Sequence, residues 1–287
     1  MEFVAKELQP VLDDMLTRVS TGLPNDILDA IKEAHAHETK ELAKKQLEAI
    51  LTSANLSYEG HLPLCQDTGL VTLFVSGQLM GHLDEVEKAL TNAVQELTAK
   101  GGMRANVVNP LTRKNTGTNT GLNQPEVLLD KTSKKTALKM ILKGAGSENF
   151  TNLKMMMPTV SRQNILKHIL EVVIDAGGKP CPPNILGIGI GGSAIQAMFD
   201  SKLALLREIG SRNPDPDVAQ FETTIVKAVN ELGIGTMGLG GDTTILDAHI
   251  ETAGTHTACL PIAISFGCWA NRVSIAELTN NQFKIIR

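Results

Sequence analysis

The segment 180–193, PCPPNILGIGIGGS, indicates the fold class of this 287-residue chain. Its apolar stretch Asn184–Ile190 predicts a buried strand, and the glycines that follow end the strand before a helix from Ser193 to about Ile209. A strand that leads directly into a helix is typical of proteins that layer helices on a sheet. The segment therefore favours an α/β fold.

The rest of the chain extends this pattern. One helix is predicted over Ile27–Leu51, after the start signal Pro24-Asn25-Asp26, and the polar stretch 101–125 predicts a long loop. Further predicted elements are a strand over Leu70–Val75, helices over Leu83–Leu97, Arg162–Ala176 and Phe221–Leu232, a strand or helix over Thr136–Leu142, and an apolar segment over Leu260–Ser265. No linker divides the chain. We therefore expect a single catalytic domain over residues 1–287, α/β (mixed α+β), with a helical N-terminal part followed by a mixed sheet with helices and Gly-rich loops.

Composition and charge exclude several classes of partner. Asp and Glu (31) outnumber Lys and Arg (27), so the formal charge of −4 does not attract nucleic acid or an anionic membrane surface. Aromatic residues make up 3%, too few for base-stacking platforms. The N-terminal sequence lacks the pattern of a signal peptide, and no apolar run reaches the ~20 residues that span a bilayer. We expect a cytoplasmic protein with no nucleic-acid or membrane partner.

The four cysteines are widely spaced, which excludes a zinc ribbon, and in a reducing cytosol they favour metal binding or catalysis over disulfides. Cys65, Cys181 and Cys268 lie in predicted turns rich in Gly, Pro and polar residues, which suit ligation better than core filling. Cys259 lies in an apolar run and is interpreted as a small buried hydrophobe. Three thiolates would leave one iron of a four-iron cluster open to act as a Lewis acid on a hydroxyl group.

The glycines of Gly187-x-Gly189-x-x-Gly192 match the dinucleotide-binding fingerprint and would suit a nicotinamide-dependent dehydrogenase. The acid that binds the ribose would fall near Leu205–Glu208, in a predicted helix. The alternative is that the glycines allow a strand and a helix to pack closely. We expect the backbone N–H donors of this segment to face an anionic group or a sulfide rather than a nicotinamide cofactor.

Five features together resemble the iron–sulfur-dependent class I fumarases and the L-tartrate dehydratases, in order and over nearly the whole chain. These features are Cys65-Gln-Asp-Thr-Gly69, Lys143-Gly-Ala-Gly-Ser147, Cys181-Pro-Pro183, Gly233–Gly241, and His256 twelve residues before Cys268. The chain length is similar to that of the separate alpha subunit of the two-subunit enzymes.

The resemblance implies a [4Fe-4S] cluster and a set of site residues. The implied metal ligands are Cys65, Cys181 and Cys268, the catalytic residues are Asp67 and His256, and the substrate-binding residues are Gln66, Arg104 and Gly146. The substrate, a small dicarboxylate, is expected to bind the fourth iron through its hydroxyl and one carboxylate. The family's Gly-Gly-Gly-Ser is Gly144-Ala145-Gly146-Ser147 here, which leaves open the glycine that contacts substrate.

Each of three residues also has a structural interpretation. Asp67 could protonate the departing oxygen, or it could only form an Asx turn before the strand. His256 could act on Asp67 or shuttle a proton, or it could be a structural histidine. Arg104 has the fork geometry that grips a carboxylate, or it could be a solvated loop arginine.

The resemblance implies a hydro-lyase alpha subunit. We expect it to interconvert fumarate and (S)-malate, the reaction of the tricarboxylic acid cycle, because that is the commoner metabolic role. The alternatives are the L(+)-tartrate dehydratase alpha subunit, which forms oxaloacetate, and a non-catalytic iron–sulfur protein. No base for the carbon-bound proton is evident in the sequence, and the family places that base on a beta subunit. We therefore expect an α2β2 heterotetramer, in which this chain is half of the enzyme.

Overall fold

The computed structural model describes residues 2–287 and divides into two compact units. The first unit consists of the residues up to Asn25, Ser53–Ala145 and Arg272–Arg287. The second consists of Asp26–Thr52 and Gly146–Asn271. Each unit uses segments that are far apart in sequence, so no single cut in the chain separates them. The single catalytic domain over residues 1–287 stays a prediction.

Three helices begin the chain, and helices and strands of two mixed sheets follow, so the α/β (mixed α+β) class is confirmed. The helices are α1 (Glu2–Thr21), α2 (Asn25–His37), α3 (Glu41–Gly60), α4 (Leu83–Ala99), α5 (Ala145–Glu148), α6 (Arg162–Ala176), α7 (Ala194–Ala204) and α8 (Pro216–Asn230). The strands are β1 (Leu70–Ser76), β2 (Glu126–Leu129), β3 (Ala137–Lys143), β4 (Asn152–Met156), β5 (Asn184–Gly191), β6 (Ile245–Ala253), β7 (Leu260–Gly267), β8 (Arg272–Thr279) and β9 (Gln282–Ile285). Among residues 2–287, no helix combines the length and the apolar character that a membrane crossing requires.

The first unit packs helices α1 and α4 on a sheet of order β2-β1-β3-β8-β9. Strand β1 runs parallel to β2 and antiparallel to β3, and β3 runs antiparallel to β8. Leu12 of α1, Leu90 of α4, Leu73 of β1 and Met140 of β3 are all fully buried in one apolar cluster. The start of β1, the end of β3 and the start of β8 lie together at one end of these strands, next to the loop that carries Asp67.

The second unit is built on a sheet of order β4-β7-β5-β6, with β5 parallel to β6 and antiparallel to β7. Leu186 and Ile188 of β5 join an apolar cluster with residues of α6 and α8. The side-chain positions of Gly187 and Gly189 are on the opposite face of the sheet, since these positions alternate along a strand. Helix α7 lies on that face, in contact with β5, β6 and β7.

The glycines of the dinucleotide-like motif allow this contact. A Cβ added to Gly187 would overlap the carbonyl oxygen of Ser201, and one added to Gly189 would overlap that of Ala197. Both carbonyls belong to α7, so the helix lies directly on the strand backbone. The structural alternative, close strand–helix packing, is confirmed, and the glycine spacing no longer supports a dehydrogenase. The expectation that backbone donors of this segment face an anionic group or a sulfide stays a prediction.

The predicted helix over 27–51 is wrong in one respect, because residues 38–40 separate α2 from α3. The backbone N–H and the hydroxyl of Thr39 both donate to Oδ2 of Asp242, at 2.8 and 2.6 Å. The Lys40 N–H donates to the carboxylate of Glu38 at 2.9 Å. Side-chain acceptors thus replace the helical carbonyls, and the chain starts a new helix.

Other predictions agree closely with the structure. The predicted strand over 70–75 and the helices over 83–97 and 162–176 are present, residues 136–142 form a strand, and 260–265 lie in β7. Within 101–125 the structure has only isolated bridges, as expected of a loop. Helix α7 ends at Ala204 rather than near Ile209, because a run of short turns follows and the Ile209 N–H donates to Asp26 Oδ2 at 2.9 Å.

Candidate functional site

In the first unit, Asp67 lies in the loop between α3 and β1 with both carboxylate oxygens held by the backbone. Its Oδ1 accepts the Gly69 N–H at 3.0 Å, which is the Asx turn that the sequence offered as a structural alternative. Its Oδ2 accepts the Ala145 N–H at 2.7 Å, from a segment 78 residues away. The carboxylate is therefore fixed in direction by one local contact and one contact from a distant part of the chain.

The Cys65–Gly69 loop and the Lys143–Ala145 segment approach so closely that glycine is required at position 69 and a larger residue at position 144 would press on Asp67. Gly69 has φ +84°, and a Cβ there would lie 2.6 Å from the carbonyl oxygen of Lys143. A Cβ on Gly144 would lie 3.1 Å from Oδ2 of Asp67. The two motifs thus form one structure around the Asp67 carboxylate.

The polar loop 101–125 is tied to the same place. The Arg104 N–H donates to the hydroxyl of Thr68 at 2.7 Å, and the Arg104 carbonyl accepts from the Asn119 side chain at 2.9 Å. The Asn106 side chain donates to the Gly69 carbonyl at 3.4 Å. The backbone of the loop is anchored beside Asp67, while the side chains of Arg104 and Gln66 are exposed.

Arg272, the first residue of β8, lies outside the predicted site set but contacts Asp67. Its side chain is buried, with 2% relative exposure, and its Nη2 donates to the Asp67 carbonyl oxygen at 3.1 Å. Its position four residues after Cys268, a predicted ligand, was the signal in the sequence. A buried arginine in that position indicates a role beyond solvation.

In the second unit, the turns that carry Cys181 and Cys268 lie side by side. The Trp269 N–H donates to the Cys181 carbonyl at 3.1 Å. The Asn184 side chain, 2% exposed, donates to the carbonyls of Pro180 (2.9 Å) and Gly267 (3.1 Å), each next to a cysteine in sequence. The thiol-bearing residues are both partly exposed.

Two further features belong to this arrangement. Cys181 adopts φ +56°, which is rare for a residue other than glycine and is found where the surrounding structure fixes a functional residue. A Cβ on Gly146 would lie 3.5 Å from the Lys179 carbonyl, so Gly146 is close to the Cys181 turn. The structure therefore brings Gly146, Cys181 and Cys268 into one region of the second unit.

His256 lies elsewhere in the second unit. Its turn joins β6 to β7 beside the end of β5, where the Thr255 hydroxyl donates to the Gly192 carbonyl at 3.0 Å. Cys181 precedes the start of β5, whose eight residues (Asn184–Gly191) advance ~3.3 Å each, so roughly 20–25 Å of sheet separates the two. The structure does not bring His256 to the two cysteines of its own chain.

Two hydrogen bonds within this turn involve His256. The Ala258 N–H donates to Nδ1 of His256 at 3.1 Å, and the Cys259 N–H donates to the His256 carbonyl at 2.9 Å. The His256 side chain is exposed. Cys259 is partly exposed, so its interpretation as a buried hydrophobe is not supported.

A charged cluster around Asp247, on β6, has a structural role. Burial would raise the pKa of this carboxyl, but the adjacent His249 and the hydrogen bonds from Arg212 and the Gly210 N–H outweigh it and lower the pKa to about 2. Arg212 Nη1 lies 2.8 Å from Oδ1, and His249 Nε2 lies 3.2 Å from Oδ2. The cluster joins the loop after α7 to the sheet.

Among residues 2–287, no three or more His, Cys, Asp or Glu side chains form a group that could hold a metal ion. Cys181 and Cys268 therefore do not form such a group with a third His, Cys, Asp or Glu side chain of the described residues. Thiolates are nevertheless the donors that iron–sulfur clusters take.

Comparison with known proteins agrees with these motifs. The family model described as fumarate hydratase (Fumerase) matches residues 9–277. The putative L(+)-tartrate dehydratase subunit alpha of Methanocaldococcus jannaschii is 40% identical over 282 residues, covering 95% of this chain and 98% of that protein. The L(+)-tartrate dehydratase subunit alpha of Escherichia coli K12 is 32% identical over 269 residues, covering 93% of this chain and 89% of that protein. The chain therefore belongs to the fumarate hydratase family.

Proposed function

We propose that this chain is the alpha subunit of an iron–sulfur-dependent hydro-lyase that interconverts fumarate and (S)-malate by reversible hydration. The observation that carries the proposal is the family match, which spans residues 9–277 and so includes every proposed site residue. The whole chain, residues 1–287, would act as one catalytic domain. Reduced cysteine ligands fit the cytoplasmic location that the sequence predicts.

Cys65, Cys181 and Cys268 are the proposed ligands of a [4Fe-4S] cluster. The donor chemistry fits, since all three are thiols on partly exposed turns, and hydrogen bonds hold the Cys181 and Cys268 turns together. When bound, such a cluster supplies an open iron that acts as a Lewis acid on the C–O bond of the substrate.

Asp67 is the proposed proton donor to the departing oxygen in dehydration, and the acceptor of the same proton in hydration. Each carboxylate oxygen accepts one backbone N–H and keeps a second lone pair for a proton. Because the carboxylate is held before substrate arrives, little reorganisation is needed during the reaction.

Gln66, Arg104 and Gly146 are the proposed substrate-binding residues. The exposed side chains of Gln66 and Arg104 belong to loops joined by the Thr68 hydroxyl, and a guanidinium can bind a carboxylate through two N–H groups. Gly146, exposed and close to the Cys181 turn, could offer its backbone N–H.

The proposed catalytic role of His256 requires contact from another chain of the assembly. The length of β5 separates His256 from Cys181 and Cys268 within one chain. The exposed ring, held by the Ala258 N–H, is available for such contact.

A beta subunit is the proposed partner, in an α2β2 assembly. Both relatives compared above carry the name subunit alpha, and no base for the carbon-bound proton is evident among the proposed site residues. The isolated chain is expected to hold the cluster but to turn over substrate little or not at all.

The second candidate is dehydration of L(+)-tartrate, which the names of both relatives favour. Tartrate differs from malate by one hydroxyl, and a pocket that hydrogen-bonds such a group can discriminate strongly. A third, an iron–sulfur protein without turnover, predicts that substitution of Asp67 or Arg104 has no effect on any reaction.

The test is anaerobic reconstitution with iron and sulfide of the chain alone and of the chain with its beta subunit, followed by assays on fumarate, (S)-malate and both tartrate enantiomers. We expect fumarate hydration by the pair and almost none by the chain alone. Turnover of tartrate only would favour the second candidate. Full activity of the chain alone would contradict the two-subunit proposal. Absence of turnover by the pair would contradict the proposal that this chain is part of an enzyme.

A further inference from the structure

We propose that Arg272 is a positioning residue that fixes the backbone of Asp67 and thereby aims its carboxylate. This inference rests on the proposed function of Asp67. It concerns only the first unit, to which both residues belong.

Arg272 is unusual in its burial and its partner. Its side chain is among the largest that the structure buries fully, and it forms no ion pair within residues 2–287. Its Nη2 donates to the Asp67 carbonyl at 3.1 Å, while its buried Nε has no hydrogen-bond partner in this part of the chain. A buried guanidinium without an acid is costly to a fold and indicates a specific task.

Asp67 is held at both ends as a result. Arg272 holds its carbonyl, and the N–H groups of Gly69 and Ala145 hold its carboxylate. Gly144 lies close to both charged groups, since a Cβ there would lie 3.1 Å from Oδ2 of Asp67 and 4.0 Å from Nη2 of Arg272. Release of the carbonyl would let the whole residue turn, so its carboxylate would lose its direction.

Lysine would not serve in place of arginine. The ammonium group is a point charge on a flexible stem, whereas the guanidinium is planar and presents its donors in a fixed fork. Arg272→Lys thus keeps the charge and most of the volume but loses the fixed contact to the Asp67 carbonyl.

The experiment uses the reconstituted alpha–beta enzyme with Arg272→Lys, and Arg207→Lys as the matched control. Arg207 is also largely buried, but its Nη1 pairs with Glu222 at 2.7 Å in the second unit. We expect Arg272→Lys to lower kcat about 10- to 100-fold, as small misplacements of catalytic groups do, with unchanged iron content. Arg207→Lys should keep the kcat of the wild type. Wild-type kcat in Arg272→Lys would overturn the inference.

A double-mutant cycle separates positioning from general structural support. If Arg272 acts through Asp67, then Arg272→Lys should lower kcat no further once Asp67→Asn is present. An equal fold-loss in both backgrounds would overturn the inference.

Two further measurements keep the test decisive. In hydrogen-exchange measurements on the metal-free chain, the Gly69 and Ala145 amides should exchange faster in Arg272→Lys but not in Arg207→Lys. Unchanged exchange in Arg272→Lys would contradict the inference, and this result does not depend on whether the wild type is active. Wild-type inactivity would count against the proposed function instead. If Arg272→Lys does not fold, Gly144→Ala should reproduce the fall in kcat, and full activity of that variant would overturn the inference.

Discussion

Asp67 shows how one residue can serve the fold and the proposed chemistry together. The sequence left an Asx turn and an acid as alternatives, and the structure has the turn, with Oδ1 on the Gly69 N–H. An Asx turn does not require the second contact, in which Oδ2 accepts the N–H of Ala145, 78 residues away. The local contact could be predicted from spacing, whereas the distant one depends on the pairing of β1 with β3.

The prediction at this scale compares two aspartates of the first unit. Asp67→Asn should lower kcat about 10²- to 10⁴-fold, the usual contribution of a general acid, with the visible absorption of the cluster retained. Asp130 is fully buried, and Lys139 Nζ lies 2.8 Å from its Oδ2. Asp130→Asn should cost about 3 kcal/mol of unfolding free energy, because it breaks a buried pair, and leave kcat unchanged. Steady-state kinetics and urea unfolding check both, and equal effects of the two variants would contradict the assignment.

At the scale of elements, strand β5 and helix α7 could be predicted from the sequence, but the close contact between them could not. The apolar run and the glycines predicted a strand, a turn and a helix, all of which are present. Strand β6 was missed, since its polar members Asp247, His249 and Glu251 hide the apolar pattern. The break between α2 and α3 was also missed, because its acceptor, Asp242, is more than 200 residues away.

The glycines of β5 give a direct test of this packing. Gly189→Ala should destabilise the chain by about 3 kcal/mol or more, because the new methyl overlaps the Ala197 carbonyl. Gly254→Ala is the control, as a Cβ there meets nothing within 4 Å. Thermal unfolding measures both variants. Equal stability of the two would show that α7 does not lie directly on β5.

Strand β6 carries a pH-dependent contribution. The pKa of Asp247 is about 2 in the folded chain against 3.8 for the ordinary group, so its stabilising effect is present above pH ~4 and is lost as pH falls toward 2. A shift of this size corresponds to about 2 kcal/mol. Asp247→Asn should lower unfolding free energy at pH 7 and remove this part of the acid sensitivity. Urea unfolding between pH 7 and pH 2 checks it, with exposed Asp29→Asn as control. The same acid sensitivity in Asp247→Asn as in the wild type would refute the assignment.

At the scale of the whole molecule, the proposed ligands come from both compact units, Cys65 from the first and Cys181 and Cys268 from the second. The local setting of each cysteine could be read from the sequence, because Gly and Pro mark turns. The side-by-side placement of Cys181 and Cys268 follows from antiparallel pairing of β5 and β7, which no local pattern reveals. The same pairing places His256 at the other end of the sheet.

The most direct test of the account is fumarate hydration by the alpha–beta pair, measured together with iron content, in four serine variants. Cys65→Ser, Cys181→Ser and Cys268→Ser should each lose iron and at least about 100-fold of the hydration rate, since a cluster ligand is removed. Cys259→Ser should retain both. Normal iron content and hydration in Cys65→Ser, Cys181→Ser or Cys268→Ser would contradict the central claim that these three thiolates hold the catalytic cluster.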